Sequence, residues 1–161
     1  MPTLLAITVL LPLLGSLVLF LTPTMSKELA RKLALVVSLI TMGLSLILLM
    51  AFETGVIPPQ FAQGPDGGPY GWDWIPRANI RLAFGLDGLS LWLFQLTSLL
   101  MITSVLASWE AITERAPIYY GFLLALETGL LGLFASLDVV LFYIFFEFTL
   151  IPLFFLIGLW G

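Results

Sequence analysis

Apolar runs long enough to cross a bilayer alternate with polar breaks five times along this chain. They fall at about residues 3–21, 29–52, 87–109, 117–136 and 138–160. At roughly 1.5 Å of rise per residue, about twenty residues cross a hydrocarbon core of about 30 Å. The pattern predicts an all-α, polytopic membrane protein with five transmembrane helices. Pro12 lies inside the first run and predicts a bend there, because it has no N–H to complete the helix ladder. Ser26, Asp87 and Asp138 stand where helices two, three and five begin and read as N-caps. Pro117 suits the first turn of helix four.

Residues 53–86 break the pattern. Pro58-Pro59, Gly64-Pro65-Asp66-Gly67-Gly68-Pro69 and Trp72-Asp73-Trp74-Ile75-Pro76 all read as turn chemistry. Only 77–84 differs: Ala78, Ile80, Leu82 and Phe84 alternate with more polar positions and predict a short strand. The long connection is expected to form an extracytoplasmic loop of a single membrane domain, 1–161.

Composition agrees with the pattern. Hydrophobic residues make up 60% of the chain and charged ones 10%, against roughly 25% charged in soluble domains. The chain has no cysteine and no histidine. Thiolate and imidazole ligands are thereby excluded, and with them the usual iron–sulfur, haem and zinc sites. No cofactor is expected in this chain, and the lack of a basic patch speaks against nucleic acid. The first twenty-one residues carry no Lys or Arg, so they lack the basic start of a secretory signal and read as a retained helix.

Charge placement suggests an orientation. Lys27, Arg31, Lys32 and Arg115 fall in the first and third connections, and Arg77 and Arg81 in the second. The positive-inside rule then puts the N-terminus outside and the C-terminus inside. Trp109, Tyr119, Tyr120 and Trp160 gather at the inner interface, with Trp92 at the outer one. The cations at the start of helix two oppose the helix dipole, so another requirement places them. Within helix three, Gln95, Thr97, Ser98, Thr103 and Ser104 read as interhelical hydrogen-bonding groups or as the wall of a hydrated path. Small residues offer close packing at Gly43 and Ser45, and in the stripe Gly121, Ala125, Gly129.

The chemistry concentrates in two acids, Glu127 and Glu147. Each lies ten residues from Leu137, at the centre of the turn between helices four and five. In an antiparallel hairpin both carboxyls sit about 15 Å from that turn, near the midplane. The small stripe points away from Glu127 by roughly 160°, so packing through it would leave the acids apart. An intramembrane carboxyl is costly, and a charged one needs a partner. No Lys or Arg of this chain lies at that depth. Pro152 frees the backbone carbonyl of Phe148, and Tyr143, one turn before Glu147, can donate a hydrogen bond to it. A carboxyl loaded and emptied of its proton by a movable cation suits a proton pump. The plain alternative for either acid is a neutral group bonded to a neighbouring helix.

Several segments carry a family resemblance: Phe84-Gly85-Leu86-Asp87-Gly88-Leu89-Ser90-Leu91, Leu126-Glu127-Thr128-Gly129-Leu130-Leu131-Gly132, Phe146-Glu147-Phe148-Thr149-Leu150-Ile151-Pro152, and Leu156-Ile157-Gly158-Leu159-Trp160-Gly161. Together with Trp74-Ile75-Pro76-Arg77, they resemble the antiporter-like membrane subunits of respiratory complex I, the M-type (subunit 4) chains above all. The resemblance implies the N-terminal part of a larger subunit, built from inverted helix repeats that each contain a broken helix. It implies proton translocation coupled to quinone reduction by an NADH-quinone oxidoreductase, with no redox centre in this chain. Glu147 would be the proton carrier, paired with a lysine on a later helix, and Glu127 a candidate second proton site. Pro152 and Tyr143 would shape the surroundings of Glu147. The expected partners are the other membrane-arm subunits of complex I, the lipid bilayer and protons. The expected location is the inner (plasma) membrane of a bacterium rather than an organelle. A multisubunit cation/proton antiporter and a purely structural membrane component are the competing readings.

Overall fold

The computed structural model describes residues 2–55, 59–62 and 71–161. Five helices in it are long and apolar enough to cross a membrane: α1 (Pro2–Leu21), α2 (Lys27–Ala51), α3 (Gly88–Ala107), α4 (Ala116–Ala135) and α5 (Val139–Trp160). Their ends lie within two residues of the expected ones, and the expected caps explain why. Asp87 and Ser90 form a reciprocal capping box at α3: the Asp87 carboxylate accepts from the Ser90 N–H at 2.7 Å, and the Ser90 hydroxyl accepts from the Asp87 N–H at 2.8 Å. Asp138 accepts from the N–H of Val140 at 2.8 Å and starts α5. The Ser26 hydroxyl caps α2 more loosely, 3.4 Å from the Leu29 N–H. Helix three stops at Ala107 rather than reaching 109, because Ser108 and Trp109 close a tighter final turn onto Leu106.

The long connection departs from expectation. Trp72–Ile75, read from the sequence as turn, is strand β1, paired antiparallel with β2 (Ile80–Leu82). Two tryptophans and an isoleucine favour extended backbone, and Pro76 ends the strand instead of dissolving it. The expected strand at 77–84 shrinks to three residues, since Pro76–Ala78 form a 3-10 turn closed by Asn79 in the left-handed region at φ 52°. Asn tolerates that conformation better than most residues. Pro58 and the turn expected at 64–69 lie outside the described residues. Beyond β2 the chain runs beside the α4–α5 turn. Gly85 N–H donates to Ala135 C=O at 2.8 Å, and Leu137 N–H donates to Ala83 C=O at 2.9 Å. This strap ties the loop to the α4–α5 turn.

Helix α4 is the centre of the bundle. It packs against α1, α2, α3 and α5, whereas α5 packs chiefly on α4. The small stripe does not serve one neighbour. Gly121 faces Phe20 of α1, Gly129 faces Thr149 and Phe148 of α5, and Gly132 faces Phe145 of α5. Two apolar clusters fill the bundle. One, at the end of Trp109, holds Leu19, Ala34, Met101, Tyr120 and Leu124. The other, at the end of the hairpin, holds Leu5, Val9, Leu48, Phe94 and Leu131.

Candidate functional site

Glu127 lies on α4 between Leu124, in the first cluster, and Leu131, in the second. It is wholly buried. The Ser38 hydroxyl of α2 donates to its Oε2 at 2.9 Å. Its Oε1 is also buried and meets no hydrogen-bond partner among the described residues. A neutral carboxyl is the form this surrounding tolerates, because a buried charge with one hydroxyl donor and no cation is costly. The residues at fault for hiding this site in the sequence are Ser38, Thr41 and Ser45. Spaced three and four apart, they put a polar face on α2 that points inward, and all three are buried. The signal was present in that spacing, but only Ser45 stood out, as a small packing residue.

The polar residues of α3 divide. Gln95 bridges to α2: its amide donates to the Ser45 carbonyl at 2.6 Å and its oxygen accepts from the Ser45 hydroxyl at 3.0 Å. Thr97, Ser98, Thr103 and Ser104 instead return hydrogen bonds to carbonyls of their own helix. Interhelical bonding therefore holds for Gln95 and not for the rest.

Glu147 has the opposite setting. It is exposed on a face of α5 shared with Tyr143, Leu150 and Phe154, all of them exposed too. Tyr143 stands one turn before Glu147 on that face. Pro152 is buried on the inner side of the same helix, so the kink residue and the acid point in different directions. The two acids are not in contact: Glu127 turns to α2, and Glu147 turns away from the whole bundle. None of the cations on the described residues reaches either. Lys27, Arg31 and Lys32 belong to the first turns of α2, Arg115 precedes α4, and Arg77 and Arg81 belong to the hairpin.

Five helices long and apolar enough to span a membrane, with one acid sealed among them and a second on an open face, define a polytopic α-helical membrane protein. None of the protein-family models matches the chain. Curated relatives do. NADH-ubiquinone oxidoreductase chain 4 of Chondrus crispus is 38% identical over 157 residues, covering 98% of this chain and 30% of the relative. F(420)H(2) dehydrogenase subunit M of Methanosarcina mazei is 34% identical over 97% of this chain and 30% of its own. NADH-quinone oxidoreductase subunit M of Pseudomonas aeruginosa is 38% identical over 95% of this chain and 30% of its own. The chain is homologous to a portion of the M-type, or chain 4, membrane subunits, and it spans about 30% of the length of these relatives.

Proposed function

We propose that this chain works as part of a membrane-arm subunit of an NADH-quinone oxidoreductase, contributing to proton translocation coupled to quinone reduction. Glu147 is the proton carrier in this reading. The observation that carries it is the placement of an ionisable group at midmembrane depth on a face that these helices leave open. A carboxyl there is stable only when something outside them meets it. A cation arriving on a neighbouring helix lowers the cost of the charged form, and its withdrawal favours the proton. Such a lysine on a later helix is what the family resemblance implies. Tyr143 on the same face serves as a hydrogen-bond partner of Glu147, and Pro152 shapes the helix one turn beyond. Glu127 is a second proton site, reached through Ser38 rather than through Glu147.

The relatives' names differ in electron donor, NADH in two and F(420)H(2) in the third. That variation fits a chain whose task is ion movement rather than redox chemistry, and it supports the quinone-linked reading over a free-standing antiporter. We place the N-terminus and the 53–86 loop outside and the chain in a bacterial plasma membrane; the four-to-two bias of Lys and Arg supports the orientation. The test is Glu147→Gln in the assembled complex, reconstituted in proteoliposomes. Proton uptake driven by quinone reduction should collapse while the complex still assembles. Undiminished proton uptake would overturn the assignment and leave a structural role.

A further inference from the structure

Lys27, Arg31 and Lys32 crowd the first two turns of α2, against the helix dipole, and the proposed proton path makes no use of them. Arg31 is engaged. Its Nη1 donates to the Trp109 carbonyl at 2.6 Å, its guanidinium lies 4.9 Å from the centre of the Trp109 ring, and its Nη2 is 3.5 Å from a Glu28 oxygen. This clamp joins the N-terminal end of α2 to the C-terminal end of α3. Beside it the two helices leave a groove of about 540 Å³, lined by Leu35, Leu106, Ala107, Trp109 and Glu110.

Leu35, Leu106 and Ala107 give the groove its apolar part, and Glu110 lines its charged end. Arg31 and Lys32 stand four and three residues before Leu35, on the same side of α2. Glu110 lies three residues past the end of α3 and directly follows Trp109, whose carbonyl Arg31 holds. Lys32 and Glu110 are both exposed, and neither forms an ion pair among the described residues. The same end of the bundle carries Trp109, Tyr119 and Trp160, the last two with ring centres 5.3 Å apart. Tryptophan and tyrosine at a helix end mark the headgroup level of a bilayer.

We propose that this groove binds a phospholipid whose headgroup carries a free ammonium, phosphatidylethanolamine. An acyl chain lies along Leu35 and Leu106, the phosphate meets Lys32, and the ammonium donates to Glu110. The two signs of charge at the mouth make the choice. A purely anionic lipid satisfies Lys32 but sets its charge against Glu110. Phosphatidylcholine satisfies Lys32 too, but its trimethylammonium has no N–H to give. An ammonium and a phosphate on one headgroup form charge-assisted hydrogen bonds on both sides, and phosphatidylethanolamine, unlike phosphatidylserine, brings no carboxylate to set against Glu110. Lys32 is then placed by the lipid it holds.

Acyl-chain diazirine probes of phosphatidylethanolamine, phosphatidylcholine and phosphatidylglycerol test this in membranes holding the assembled complex, with the labelled peptides mapped. The ethanolamine probe should label peptides containing Leu35 or Leu106 severalfold more than either other probe. Glu110→Gln should erase that preference, and Lys32→Gln should weaken labelling by all three. Ala107→Phe, which fills the groove, should abolish labelling, and Arg77→Gln at the opposite end should change nothing. Equal labelling by the three probes overturns the proposal. So does a phosphatidylglycerol preference indifferent to Glu110→Gln, which marks a plain basic patch. Absence of labelling at the groove overturns it as well, since a protein neighbour then covers the site.

Discussion

Glu127 and Glu147 share a depth, a hairpin and a chemistry, but not a setting. Over the apolar stretch of α4, 61% of residues are buried; over that of α5 the figure is 17%. Glu127 belongs to the helix that the others surround, and its hydrogen bond to Ser38 is made within the chain. Glu147 belongs to the helix at the edge, on the face that these helices leave open. The difference separates two uses of a membrane carboxyl. One is bonded inside the bundle, and the other stands on its open edge.

The largest test of this contrast replaces each acid by its neutral isostere in the assembled complex. Glu147→Gln should reduce quinone-driven proton uptake to background, because an amide cannot release a proton to the next carrier. Glu127→Gln should cause only a partial loss, since the amide keeps an acceptor for Ser38. Equal losses would merge the two acids into one path and end the comparison.

Packing offers the next largest effect. A side chain at Gly132 meets the ring of Phe145 on α5, whereas one at Gly158 meets nothing within 4 Å. Gly132→Val should destabilise the α4–α5 hairpin by about 1–3 kcal/mol through overpacking. Gly158→Val in the same chain should shift stability by about 0.5 kcal/mol or less. Denaturant titration in mixed micelles reads both. If Gly158→Val becomes costly in the assembled complex, the open side of α5 is covered there, which sharpens the contrast between the helices.

A smaller effect lies at the inner acid. Ser38→Ala removes the only donor to Glu127 among the described residues and should cost about 1–3 kcal/mol, the penalty of a buried group left unpaired. Adding Glu127→Leu should recover much of that loss, because both polar partners are then gone. The double-mutant cycle is measured by unfolding of the same protein. Additive losses would show that the 2.9 Å contact carries no coupling.

These contrasts were unevenly legible in the sequence. Five helices and their caps could be read because a spanning helix is a long local pattern, and because Asp87, Asp138 and Ser26 act on neighbours three residues away. The common depth of the two acids followed from counting outward from Leu137. Their directions did not. Which neighbour takes Gly121 and which takes Gly129 depends on where α1 and α5 lie around α4, and that is set by the summed packing of Phe20, Phe145 and Thr149. The hairpin at 72–82 was half missed for a related reason. Pro76 and the flanking glycines suggest turns, while pairing of Trp72 with Leu82 and Asp73 with Arg81 favours strands, and pairing is not local.

The smallest expected effect tests whether the Asp87 end of the bundle is independent of both acids. Asp87 lines a cavity with Ser90, Ser136 and Phe142 above the hairpin. Its carboxyl is held below the usual carboxylate range, chiefly by the hydrogen bond from the Ser90 backbone N–H, which favours the charged form. The folded protein therefore binds this proton less readily than the unfolded chain does. The stabilisation is fully present above the unfolded value of about 3.9 and fades as the pH falls through the lower folded value. Asp87→Asn keeps an N-cap but removes the charge, at a cost of about 0.5 kcal/mol or less near neutral pH. Its stability curve should lose the decline specific to this group, so wild type and variant should converge in thermal unfolding below about pH 4. Proton translocation should stay at the wild-type level throughout. A fall in translocation would couple the cap to the two acids through the α4–α5 turn, to which the Asp87 segment is tied by hydrogen bonds.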